Sequence, residues 1–173
     1  MPFLIFFALI ITVVVVPTVN ATESVSGDRN RIRAMVVEEA RNMQLAVSLA
    51  LAVAQAESDF DPLIESHKGA RGVMQIMPAT AMGEYGIHPD MLWNPRVNIR
   101  LGLHFLKRLI TRYRGRTDLA LSYYNGGSAV GDLPKARVMP ATYDYVRRVK
   151  SLQREYQRSM WSGEYLEWMR TAQ

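Results

Sequence analysis

At 173 residues, 49% of them hydrophobic and 21% charged, the chain can bury one sizeable core, is too short to suggest two, and is not disordered in composition. The absence of cysteine excludes disulfides, a lipid-attachment cysteine and a thiolate metal site. The net charge of +5 suits either solubility or attraction to an acidic polymer, nucleic acid or a carboxylate-rich cell wall.

Residues 3–16 form a run of 14 residues that is apolar but for Thr12, followed by Pro17 and then Val19-Asn20-Ala21. An apolar core followed by small residues is the pattern of a secretory signal peptide over 1–21. The run is shorter than the roughly 17–25 residues of a spanning helix. Only the amino terminus supplies charge ahead of it, so a retained N-terminal anchor stays open. Export favours the wall over nucleic acid as the acidic polymer, and no nucleic-acid partner is expected.

A polar linker is expected over 22–30, then a domain over 31–160. Its first helix covers 31–43. The second, 45–57, is apolar nearly all round and roughly 18–20 Å long, as a core helix should be. Residues 59–78 read as loop with glycines at 69 and 72, and Val73-Met74-Gln75-Ile76 is the candidate for a short strand. Pro78 suits the first turn of a short helix over 78–85.

The clearest helix spans 93–115. Asn94 suits its N-cap, Pro95 its first turn and Gly115 its stop. Ile99, Leu103, Leu106, Ile110 and Tyr113 give it one apolar face. A helix over 117–124 is expected to end at an Asn125-Gly126-Gly127 turn. The last long helix, 142–160, has Tyr143, Val146, Val149, Leu152, Tyr156 and Met160 at helical spacing. A tail over 161–173 carries two tryptophans. The fold class is mainly α with a small β element.

Glu57 stands out. Among Leu45–Ala56 only Ser48 and Gln55 carry polar side chains, so a carboxyl closing that segment is expected to lose water. The helix C-terminus adds partial negative charge. Both effects raise the carboxyl pKa, as a general acid in glycoside cleavage requires. The plain alternative is a surface acid at a frayed helix end, near Asp59, Asp61 and Glu65. His67, His88 and His104 lack ligand-like spacing and read as surface or packing residues, with no metal and no cofactor.

Glu57-Ser58 is followed by Phe60, Pro62 and Ser66, then by GARGVMQIMPATA, NPRVNIRLGLHFL, LALSYYNGG and TYDYVRRV. In that order, from about Val37 to Val149, these segments resemble the catalytic domain of the lytic transglycosylases of the soluble murein transglycosylase type, relatives of goose-type lysozyme. The resemblance implies a lysozyme-like fold that cleaves the MurNAc–GlcNAc β-1,4 bond of peptidoglycan with formation of 1,6-anhydro-N-acetylmuramic acid. It implies Glu57 as the single catalytic acid/base. It also implies Ser66, Gln75, Met77, Tyr124, Asn125 and Tyr145 as residues lining the substrate cleft. Each has a simpler reading: Met77 and Tyr145 as core, Ser66 as a turn cap, Asn125 as a turn former. Gln75, polar in an apolar run, needs a partner if buried.

Three departures stand against the family pattern. Tyr-Tyr-Asn-Gly-Gly replaces the usual AYNAG, GVMQ replaces GLMQ, and Ala141 stands where a glutamate is common, which removes a carboxylate from one end of the site. A lysozyme-like muramidase, a non-catalytic wall-binding module and a helical membrane-surface or interaction protein are the competing readings. The expected setting is an exported, periplasmic or envelope-associated monomer acting on peptidoglycan glycan strands, for wall turnover or for a secretion, pilus or flagellar complex.

Overall fold

The computed structural model describes residues 21–163, and within them six α-helices carry the architecture: α1 Ala21–Asn42, α2 Val47–Ser58, α3 Pro78–Tyr85, α4 Pro95–Arg112, α5 Thr117–Gly126 and α6 Tyr143–Ser162. Short 3-10 turns at Pro89–Trp93, Gly127–Val130 and Pro140–Thr142 connect them. Helix α2 is the axis of the domain. Ser48 and every residue from Leu49 to Ala54 are buried, which is why its sequence shows no polar face. Helices α1 and α6 pack along it, α4 lies against α1, and α5 against α4 and α6.

Helix α4 follows its sequence signals closely. The Asn94 side chain accepts the backbone N–H groups of Arg96 and Val97, and Pro95 opens the first turn. Ile99, Leu103, Leu106 and Tyr113 are fully buried. The backbone N–H of Gly115, at φ +82°, returns to the Ile110 carbonyl and closes the helix. Buried Glu39 of α1 accepts from Arg96 at 2.8 Å and from Arg100 at 2.9 Å, which clamps α1 to α4.

Four expectations need correction. The linker over 22–30 lies within α1, whose Thr22-Glu23-Ser24 opening is compatible with a helix start and contains no proline. The strand over 73–76 is a tight turn instead. Gly72 at φ +70° and Gln75 at φ +46° curl the chain back, so that Arg71 and Ile76 exchange both backbone hydrogen bonds across it, at 3.0 and 3.1 Å. Of the small β element, the described residues retain two isolated bridges, Glu65 with Arg71 and Arg71 with Ile76. Asn125 and Gly126 do not end α5 but form its last turn, and the chain turns at Gly127, φ +77°. Tyr143 is 51% exposed, although Val146 and Val149 are buried as expected. The expected signal peptide falls outside the described residues, except for Ala21. So does the tail beyond Gly163.

Two glycines show how closely the loop after α2 presses on α4. A Cβ on Gly72 would lie 2.6 Å from the Asn98 amide nitrogen and 2.9 Å from the Leu92 carbonyl oxygen. One on Gly102 would lie 2.4 Å from the Met74 Cβ and 3.0 Å from the Tyr124 hydroxyl. Gly102→Ala is therefore expected to lower stability by about 1–3 kcal/mol through overpacking. Gly83→Ala, in α3 with nothing within 4 Å of the added methyl, should raise it by about 0.5–1 kcal/mol. Urea midpoints of the two variants should move in opposite directions, and a Gly102→Ala midpoint at or above the native value would mean that Met74 does not constrain the helix spacing.

Candidate active site

Helix α2 delivers Glu57 as its penultimate residue. The chain then leaves the helix through two residues in the left-handed region, Asp59 at φ 51° and Phe60 at φ 66°. Phe60 is fully buried, which pins that exit. Ser58 fixes the helix end from the side. Its hydroxyl donates to the Val73 carbonyl at 2.8 Å, joining Glu57's own helical turn to the 71–76 turn.

The Glu57 carboxyl is half-buried and accepts a 2.5 Å hydrogen bond from the Tyr145 hydroxyl of α6. Loss of water pushes its pKa up to about 7 against two smaller opposing effects, the Tyr145 hydrogen bond and the positive charge of Arg148. The Tyr145 hydroxyl is itself held well above the ordinary tyrosine range, first by burial and then by the adjoining Glu57 charge. Its hydroxyl therefore keeps its proton to donate to the Glu57 carboxylate. About three helical turns further along α6, Tyr156 grips the same helix end by donating to the Gln55 side-chain oxygen at 2.6 Å.

The neighbouring acids are occupied elsewhere. Asp59 pairs with Arg29 at 2.9 Å, and Asp61 accepts the Leu63 backbone N–H at 2.8 Å. Glu65 faces Arg71 at 3.8 Å. Among the described residues no cluster of three or more His, Cys, Asp or Glu side chains is placed to hold a metal ion.

The other residues named from the sequence fall into two groups. Ser66, Gln75 and Tyr124 have polar atoms already used in shaping the loop. The Ser66 hydroxyl accepts the Ala70 N–H at 3.0 Å, which leaves its own proton to donate. The Gln75 amide nitrogen donates to the Gly72 and Ile64 carbonyls at 3.0 and 3.2 Å, so its partner need is met within the loop and its oxygen is left to accept. The Tyr124 hydroxyl donates to the Met74 carbonyl at 2.8 Å, and burial pushes its pKa well up. Met77 and Asn125 instead lie on the surface. Met77 is 39% exposed at the start of α3, so it is not a core residue. Asn125 is exposed on the last turn of α5. Tyr145 is the member of the set in direct contact with Glu57.

Two residues carry more than the sequence suggested. Asn98, fully buried on α4, accepts the Met74 N–H at 2.8 Å and donates to the carbonyls of Arg71 and Leu92 at 2.8 and 3.0 Å. Its signal was present: residues 98, 102, 105 and 109 form a second apolar row of α4, and a lone amide in such a row needs buried partners. Arg148, distant in sequence, supplies the positive charge that sequence around Glu57 lacks.

The raised pKa fixes the sign of a pH effect. Native Glu57 holds its proton to about pH 7, whereas the unfolded side chain releases it near 4.5. The fold binds more protons between those values, so stability falls as pH rises through that window. Relative to the native chain, Glu57→Gln is expected to be unchanged below pH 4 and more stable by on the order of 2–3 kcal/mol above pH 7. Denaturation midpoints of both proteins across pH 4–8 check it, and a constant difference over that range would contradict a desolvated carboxyl.

The family described as Transglycosylase SLT domain matches residues 34–139, more than half of the chain. The soluble lytic murein transglycosylase of Salmonella typhimurium is 32% identical over 94 residues, which cover 50% of this chain and 15% of that protein. Among solved structures, an inactive mutant of the lytic transglycosylase Slt from Pseudomonas aeruginosa matches with a TM-score of 0.64 and 31% identity, covering 74% of this chain and 24% of that one. The 70 kDa soluble lytic transglycosylase of Escherichia coli matches at 0.61 and 25%, covering 70% and 24%. This chain thus spans a minor part of those proteins' length, and the likeness falls on the mainly α, lysozyme-like fold that the sequence led one to expect. With the match running from α1 to the loop before α6 and embracing Glu57, Asn98 and Tyr124, the chain belongs to the SLT transglycosylase domain family.

Proposed function

We propose that this domain is a peptidoglycan lytic transglycosylase, with Glu57 acting alone as acid and then as base. The observation that carries the reading is a single half-buried carboxyl, pKa about 7, whose nearest acidic neighbours in sequence are engaged with other partners. Glycosidases that use water or an enzyme nucleophile pair the acid with a second carboxylate at about 5–5.5 or 6.5–9.5 Å. A one-carboxyl site suits a substrate that brings its own nucleophile.

In the proposed reaction the protonated Glu57 gives its proton to the β-1,4 glycosidic oxygen between N-acetylmuramic acid and N-acetylglucosamine. The C1–O bond breaks, and the N-acetyl group stabilises the charge left on C1. The C6 hydroxyl of the same muramic acid then bonds to C1 and yields its proton to the Glu57 carboxylate. The 1,6-anhydro ring forms, the acid is regenerated and no water is consumed. Intramolecular attack has high effective molarity, so the protein need not position a second reactant. A carboxyl pKa near neutrality serves both proton transfers.

The free groups of the proposed cleft residues suit a sugar strand. Ser66 has a proton to donate and Gln75 an oxygen to accept, while Asn125 offers an exposed amide and Met77 an apolar surface for a ring face. Among the described residues no helix is long and apolar enough to cross a membrane. The envelope is the proposed compartment, reached by export, and the proposed setting is wall turnover or local opening of the wall for a secretion, pilus or flagellar apparatus.

Digestion of isolated peptidoglycan followed by mass spectrometry of the released muropeptides tests the reaction. Anhydromuramyl ends from the native chain, with release reduced at least about a hundredfold in Glu57→Gln, are expected for loss of the proton donor. Reducing ends one water heavier would make the domain a muramidase. Tyr145→Phe removes a hydrogen bond that favours the carboxylate, so Glu57 should hold its proton to higher pH. The alkaline limb of the pH–rate profile should move upward in that variant; an unmoved limb with reduced rate would assign Tyr145 a packing role only.

A further inference from the structure

The outward side of α6 is chemically unlike the rest of the surface. Counting at 3.6 residues per turn, Arg147, Lys150, Arg154, Arg158 and Trp161 share one face, opposite Val149, Leu152 and Tyr156, which pack inward. The row spans about 21 Å at 1.5 Å per residue. All five are exposed, and Trp161, at 91%, exposes more of itself than any other large apolar side chain among the described residues. Shallow hollows open on this side, one lined by Arg147, Arg148, Lys150 and Arg154, the next by Arg154, Arg158 and Trp161. Among the described residues the ion pair within this row is that of Arg147 with Asp144.

We propose that this face docks the folded domain on the anionic headgroups of a phospholipid bilayer. Three features favour a bilayer over a wall polymer. The cations are spread along a straight row on the outer side of one helix, with shallow hollows between them, which matches an extended charged plane better than a strand held in a groove. Three of the four are arginines, whose guanidinium forks fit phosphate oxygens. The fifth residue is a fully presented indole at one end of the row, and tryptophan settles at the headgroup level of membranes. The face also points away from the side of α6 that holds Tyr145 against Glu57, so docking leaves the catalytic carboxyl uncovered.

Each cation near an anionic membrane surface adds about 1 kcal/mol, or roughly fivefold in affinity. The test uses the full chain and two vesicle types, phosphatidylcholine alone and phosphatidylcholine with phosphatidylglycerol. The apolar residues 3–16 can contribute to both, so the readout is the ratio of the two affinities. The native chain is expected to prefer the anionic vesicles more than tenfold at low salt, with the preference shrinking as salt is raised. The combined variant Arg147→Glu, Lys150→Glu, Arg154→Glu, Arg158→Glu should lose that preference and retain activity on isolated peptidoglycan. A control with the same change of net charge elsewhere, Arg41→Glu, Arg114→Glu, Arg116→Glu, Arg137→Glu, should keep most of it. Equal affinity of the native chain for both vesicles overturns the proposal, as does equal loss in the control. Loss of binding to isolated peptidoglycan in the α6 variant, with the vesicle ratio unchanged, would overturn it in favour of a wall-binding face.

Discussion

Two consecutive backbone units, those of Val73 and Met74, hold the functional end of this domain together. Ser58 of α2 bonds the Val73 carbonyl, Asn98 of α4 takes the Met74 N–H, and Tyr124 of α5 bonds the Met74 carbonyl. Three helices that are remote in sequence are thus tied to one tight turn. All three bonds are at least partly buried, where an unmade partner costs about 1–3 kcal/mol, so the arrangement is strongly favoured over alternatives in which any one helix shifts. The glycines at 72 and 102 follow from the same constraint, because each sits where the turn comes too close for a methyl group. Gln75, at positive φ, completes the turn with its own side chain.

This bolting explains why the Glu57 carboxyl can lie where it does. Glu57 precedes Ser58 directly, so the bond from Ser58 to Val73 fixes the helical turn that carries the acid. A carboxyl losing its water is a source of instability, and the surrounding structure must over-determine its position. Here α1 and α6 bury the helix on both sides, Phe60 plugs its exit, and Tyr145 and Tyr156 hold its last turn.

The helices and the acid were legible in the sequence because each has a local cause. Asn94-Pro95 caps α4 by its own side chain, the all-apolar run of α2 has no face to show to water, and a carboxyl closing that run is anomalous whatever lies around it. The turn was not legible. Val73-Met74-Gln75-Ile76 is an apolar run, and such a run reads alike whether it is a strand or a buried turn, since both hide their side chains. What separates them is the positive φ at Gln75 and the distant amide of Asn98, and neither leaves a periodic mark. For the same reason Gln75, Ser66 and Tyr124 read as facing substrate, whereas each first serves the loop: Gln75 keeps its oxygen and Ser66 its proton for a ligand, while Tyr124 gives its hydroxyl proton to the Met74 carbonyl. Tyr143 reads as an inward residue by spacing alone. It lies at the N-terminus of α6, before the first buried residue of that helix, where spacing still counts but packing has not begun.

Helix α6 then sets the chemistry of a residue it does not carry. Desolvation alone would drive the Glu57 carboxyl higher, to a group that gives up its proton reluctantly, while an exposed carboxyl would stay ionised near neutrality and have no proton to give. Tyr145 and Arg148, both on the first turns of α6, oppose the burial supplied by the rest of the core, and the balance falls near 7. A small sliding or tilting of α6 against α2 would alter the 2.5 Å tyrosine bond and the arginine's approach together. Those two changes act in the same direction on the carboxylate, while the burial that α6 itself gives to α2 acts against them. The packing of Val146 and Val149 in the core that α2 and α6 share is therefore part of the proposed acid–base machinery, because the proton affinity of Glu57 depends on how closely the two helices are held.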